Sequence, residues 1–245
     1  MAQELTLIDH IRELRKRLIL SVVAVLVCSV VAFLLYDTII AMLMRPFRTL
    51  PGAMDQYRLY ITSIFEGFVT EIKLSLIFGC IISIPVHVYN AIRFLFPALS
   101  SKERKLFGYS LFASLLLGLF GFYLVYFKLI PYSLKFVTSA SFIPNHVGLL
   151  LNFTQNIFYI LDLLLGAIVL FQFPIVLEIL LYLNIVTRKA LLKSGRYVIV
   201  LIFVVAGIIT PTPDAVAQLG LAVPMIALYY LTILIAKIFG FGEST

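Results

Sequence analysis

The chain has 245 residues, of which 62% are hydrophobic and 13% charged, with 19 Lys and Arg against 12 Asp and Glu for a formal charge of +7. A soluble domain carries roughly 45–50% apolar and about 25% charged residues, so this composition excludes a water-covered globule and predicts an all-α integral membrane protein. Cys28 and Cys80 lie inside apolar runs rather than in a disulfide framework, His10, His87 and His146 lack metal-ligand spacing, and no phosphate loop or nucleophile elbow is present, so neither a cofactor nor an enzyme is expected.

At the N-terminus, TLIDHIRELRKRLI reads as an amphipathic helix, with Leu7, Ile11, Leu14 and Leu18 on one face and His10, Glu13 and Arg17 on another. Two readings of Glu13 stand side by side. It is four residues from Arg17, where an internal pair contributes ~0.2–0.5 kcal/mol; a carboxylate at a helix tip also suits a guanidinium brought by another protein. Spacing alone favours the internal pair.

Leu18 to Tyr36 is the first apolar run. It is longer than a signal h-region and no small-x-small site follows it, so it is read as a permanent span. Further runs give six predicted spans in a single membrane domain, at about 18–36, 74–91, 106–127, 153–183, 197–209 and 215–236. The fifth holds only 13 apolar residues, which reach ~20 Å at about 1.5 Å per residue, short enough for a re-entrant segment. Pro85, Pro174 and Pro224 fall inside spans, where each removes a backbone hydrogen bond and bends the helix. The connections 37–73 and 128–152 are apolar and proline-containing, as expected of short interfacial helices.

With both termini cytoplasmic, 13 of the 19 basic residues lie inside, in clusters at 12–17, 93–105 and 188–196 and at Lys237. The other six, Arg45, Arg48, Arg58, Lys73, Lys128 and Lys135, lie outside. That asymmetry supports an even number of spans. The basic charge reports orientation and contact with the lipid bilayer rather than with nucleic acid.

Between spans two and three, RFLFPALSSKERKLF sets an apolar platform of Phe94, Leu95, Phe96, Pro97 and Leu99 beside Glu103, Arg104 and Lys105. Ser100 with Glu103 fits a capping box; a cytoplasmic platform of aromatics around a carboxylate equally fits a peptide bearing arginines and apolar side chains. Within the fourth span, Asp162 and Gln172 are costly if they face lipid and are expected to face the bundle interior or a hydrated concavity, whereas Glu178 near its end is read as structural. Asp214 between the last two spans reads as a helix cap. Gln218, one turn into the sixth span, seeks a partner in this chain or in another subunit.

Taken in order, His10 to Arg17, Glu66 with Ile72 and Lys73, Pro85 with Tyr89, Phe94 with Pro97 to Leu99 and Glu103–Arg104, Phe171 to Pro174, and Thr210 to Asp214 with Gln218 and Pro224 resemble the TatC family, the large subunit of the twin-arginine protein translocase. The resemblance implies six transmembrane helices in a curved, cup-like bundle with a short final helix pair, in the inner (cytoplasmic) membrane. It implies that Glu13, Glu103 and Phe94, with Arg15, Arg17 and Pro97 around them, bind twin-arginine signal peptides of folded cargo. It further implies that Gln218, Pro46 and Asp214 contact small single-span subunits of the TatA and TatB type in a hetero-oligomer, and that the proton gradient supplies the energy. Many relatives carry Glu where Gln172 stands and some carry an acid where Tyr230 stands, so those two ionisable groups are absent here. Of other classes, a secondary transporter or channel for small solutes would show an internal repeat and charges converging at mid-membrane, and an intramembrane enzyme a nucleophile or metal dyad; neither signature is in the sequence.

Overall fold

The computed structural model describes residues 7–49, 59–95, 101–139, 150–210 and 215–243. By their contacts the residues fall into two compact units, one of Met1–Met42 with Ile61–Phe107 and the other of Leu43–Tyr60 with Gly108–Thr245.

In the first unit α1 (Leu7–Leu34) carries the basic residues in its first half and the apolar run in its second, and packs along α3 (Glu66–Ile82). Small residues set how closely these two helices approach. A Cβ on Gly79 would stand 2.7 Å from both Cα and N of Ser29, so only glycine admits the contact. The buried side of α3 is Thr70, Leu74, Ser75 and Gly79. Its hydroxyls are satisfied within the helix: Thr70 donates to the Glu66 carbonyl at 2.7 Å and Ser75 to that of Glu71 at 2.7 Å. Glu66 caps the start of α3, accepting from the Thr62 amide at 2.6 Å and hydroxyl at 2.8 Å and from the Ser63 amide at 3.2 Å. α3 and α4 (Ile84–Leu95) meet at Ser83 with a bend of 43° just before Pro85, where the expected proline bend falls. The Ser83 hydroxyl holds the break, donating to the Cys80 carbonyl at 2.9 Å and lying 2.8 Å from His87 Nε2.

The second unit includes most of α5 (Ser101–Leu124), a π-helical stretch (Val125–Leu129), α6 (Ile130–Val137), α7 (Phe153–Leu170), α8 (Phe173–Tyr182), α9 (Arg188–Ile209) and α10 (Ala215–Ile238). The connection between the first two predicted spans forms the short α2 (Tyr36–Met44) and a 3-10 segment (Arg45–Thr49) with Pro46 and Phe47 buried. Two-residue strands, β1 (Leu59–Tyr60) and β2 (Leu151–Asn152), pair in parallel. Asn152 then caps α7, accepting from the Gln155 amide at 2.8 Å.

The predicted fourth span is two helices, α7 and α8, broken at Phe171–Gln172 immediately before Pro174. Phe171 is buried against α5, its ring 5.8 Å from that of Phe120, where a Cβ on Gly121 would come within 2.9 Å of Phe171 Cγ. α10 runs uninterrupted through Pro224. α9 is 22 residues long, well beyond the 13-residue apolar run. Its first nine residues are polar on one side and pack Leu191 and Gly195 on the other, and Thr187 starts them by accepting from the Ala190 amide at 3.2 Å. At ~1.5 Å per residue the helix has the length of a full span, so hydropathy understated it where the polar end begins. Among the described residues, counting the bent α3–α4 pair as one, six apolar segments are long enough to cross a bilayer.

Candidate functional site

In the first unit, the basic half of α1 and the middle of α4 border a groove of about 470 Å³ lined by Arg12, Glu13, Lys16, Arg17, Leu20, Tyr89 and Asn90. Asn90 fixes the two helices together, donating from Nδ2 to the Ser21 hydroxyl at 3.0 Å. Both members of the internal pair line this groove. Arg17 donates from Nε to Glu13 Oε1 at 3.0 Å and also from Nη2, with the two side chains 22% and 28% exposed. The i, i+4 pairing favoured by spacing is therefore formed. Tyr89 stands across from it, accepting from Arg93 Nε at 3.1 Å, with the Arg93 guanidinium 5.7 Å from its ring centre.

The chemistry of the groove follows from these contacts. A half-buried carboxylate here accepts two N–H groups of one guanidinium on its Oε1, so the groove already accommodates an arginine side chain. The tyrosine face beside it is a surface on which a guanidinium stacks, as Arg93 does. Arg12 and Lys16 line the same groove, so an incoming cation meets their charge as well as that of Arg17.

The other expected residues divide. Arg15 is exposed and does not line the groove; Phe94 is half-buried near the end of α4. Glu103 lies in the first turn of α5, but its side chain, Pro97 and the Ser100–Glu103 capping box are outside the described residues, as is Asp214. Tyr89 and Asn90 line the groove although reasoning from residue types did not place them there. The available signal was the i, i+4 pair Tyr89 and Arg93 next to an asparagine in an otherwise apolar helix.

The intramembrane polar residues differ in their surroundings. Gln172 does turn inward, but onto a neighbouring helix: its Oε1 accepts from the Ser114 hydroxyl, and its Nε2 donates to the Ile168 carbonyl at 3.1 Å and, longer, to the Ser114 carbonyl at 3.4 Å. Asp162 is exposed rather than packed inside the unit, which leaves the hydrated concavity of the two expected settings. The buried side of α7 is Ile157, Ile160, Leu161, Leu163, Leu164, Ala167 and Leu170, and position 162 falls on the opposite side. Gln218 donates from Nε2 to the Phe203 carbonyl of α9 at 3.0 Å, so its amide N–H is used within the chain. Pro46 is buried in the second unit.

A family model described as Sec-independent protein translocase protein (TatC) matches residues 9–224. The chain is 28% identical over 233 residues to the Sec-independent protein translocase protein TatC of Carboxydothermus hydrogenoformans, covering 95% of this chain and 93% of that protein. It is 34% identical over 232 residues to the TatC of Aquifex aeolicus, covering 95% of each. It also resembles a crystal structure of the twin arginine translocase receptor TatC in DDM, with a TM-score of 0.77 at 33% identity, over 96% of this chain and all of that one.

Proposed function

The chain belongs to the TatC family of Sec-independent protein translocase proteins, and on that premise we propose that it is the receptor subunit of a twin-arginine translocase, recognising paired arginines through the α1–α4 groove. It is a translocase subunit and not an enzyme. The observation that carries the reading is the half-buried Glu13 carboxylate, which accepts two N–H groups of Arg17 beside the Tyr89 ring. One arginine of a signal peptide replaces Arg17 at Glu13. Glu103, in the first turn of α5, supplies the second carboxylate, and Phe94 meets the apolar segment that follows the arginines.

The remainder of the proposal concerns the setting. The protein spans the inner membrane six times with both termini cytoplasmic, following the 13 to 6 division of its basic residues. Small single-span subunits dock against the outer side of α9 and α10, where Leu219 and Val223 are exposed. Transport draws on the proton gradient. The comparisons lend the solute-transporter alternative no support.

The experiment is binding of a twin-arginine peptide against its twin-lysine version to the purified protein. A lysine ammonium cannot form the planar two-pronged contact, so the twin-lysine peptide is expected to bind at least tenfold more weakly. Equal affinity overturns the assignment.

A further inference from the structure

A second groove, of about 570 Å³, lies in the second unit where α9 begins and α10 ends, lined by Arg188, Lys189, Leu192, Ile233, Lys237, Gly242 and Glu243. Its floor is made by the chain beyond α10 folding back. Gly240 and Gly242 take φ of +74° and +66°, which allows the return. The Gly242 carbonyl accepts from the Arg188 amide at 3.0 Å, and a Cβ at position 242 would come within 2.6 Å of Leu181 Cδ2. Phe241 anchors the turn against Tyr182, ring centres 5.1 Å apart.

Three cations face this groove against one carboxylate. Arg188 donates to Glu243 Oε1 at 2.6 Å, which holds the guanidinium in place and leaves Lys189 and Lys237 as the open charges. Among the described residues neither lysine has an ion partner. Leu192 lines the groove itself and Leu234 lies one turn before Lys237 on α10, and they are 57% and 53% exposed. α9 and α10 are each long and apolar enough to cross a bilayer, and the groove lies where the charged start of α9 meets the charged end of α10, next to these exposed leucines.

We propose that this groove binds the phosphodiester headgroup of an anionic phospholipid, with Lys189 and Lys237 on the phosphate and an acyl chain along Leu192 and Leu234. Charge complementarity and the adjoining exposed leucines together select the occupant. A free phosphate would satisfy the lysines and leave the apolar flank in water. None of its lining residues lines the α1–α4 groove.

The test is native mass spectrometry of the detergent-purified protein titrated with phosphatidylglycerol or phosphatidylcholine. Wild type is expected to retain phosphatidylglycerol preferentially. Lys189→Gln with Lys237→Gln is expected to weaken that retention roughly 30-fold, at about one kcal/mol per cation, whereas Lys189→Arg with Lys237→Arg keeps it. Labelling of a single cysteine at Ser139 verifies that the glutamine variant keeps its orientation. Equal retention of the two lipids by wild type, or undiminished phosphatidylglycerol in the glutamine variant, overturns the proposal. Displacement of phosphatidylglycerol by inorganic phosphate makes it a soluble-anion site and overturns the lipid assignment. Loss of a co-purifying acidic protein from the glutamine variant, with lipid retention intact, assigns the groove to a protein and overturns it as well.

Discussion

Arg17 donates from Nε to Glu13 Oε1 at 3.0 Å across one helical turn, so the carboxylate proposed to receive a peptide arginine is already held by a cation of its own helix. In the proposed binding mode an incoming arginine takes the place of Arg17. Glu13→Gln is therefore expected to weaken twin-arginine peptide binding by more than tenfold, since hydrogen bonds to charged groups contribute ~1.5–3 kcal/mol, whereas Arg17→Gln leaves affinity unchanged or raises it. Titration calorimetry of the two variants reads the difference. Parallel losses would mean that the pair acts only as structure.

The α1–α3 contact makes a second prediction. Gly79→Ala drives a methyl into the Ser29 backbone and is expected to destabilise the detergent-solubilised protein by about 1–3 kcal/mol, the usual range for overpacking. Adding Ser29→Ala removes only the hydroxyl, so thermal unfolding should stay low. Recovery to wild-type stability would show that the backbones are not in contact there.

Partner docking is expected along Leu219 and Val223 rather than at Gln218. A photo-crosslinker at Val223 should reach the small subunits in native membrane, while one at Gln218, whose amide is bonded to the Phe203 carbonyl, should give products within the chain. The reverse pattern would move the interface.

Orientation is checked with single cysteines at Ser139 and Lys237 and an impermeant reagent on intact cells. Position 139 is expected to react and position 237 only after the membrane is opened. Reaction of Lys237→Cys from outside would give an odd number of spans.

Much of the architecture was legible because membrane insertion depends on summed local hydropathy. The six apolar runs, the basic clusters and the bend before Pro85 all follow from neighbouring residues, and so does the Glu13–Arg17 pair, set by helical spacing. The same local sums shortened the fifth helix, because Arg188 to Arg196 are polar yet continue it.

What only the tertiary structure decided is the partner of each polar group. Gln172 and Ser114 are 58 residues apart and meet because Phe171 turns into the space left by Gly121. Gln218 finds a carbonyl on α9, Asp162 falls on the side of α7 away from its packed stripe, and Tyr89 and Asn90 enter the Glu13 groove because Asn90 bonds Ser21. A buried amide or hydroxyl must be satisfied by whichever group the packing brings within about 3 Å. That choice depends on helix rotation and approach, which no run of hydropathy along the chain specifies.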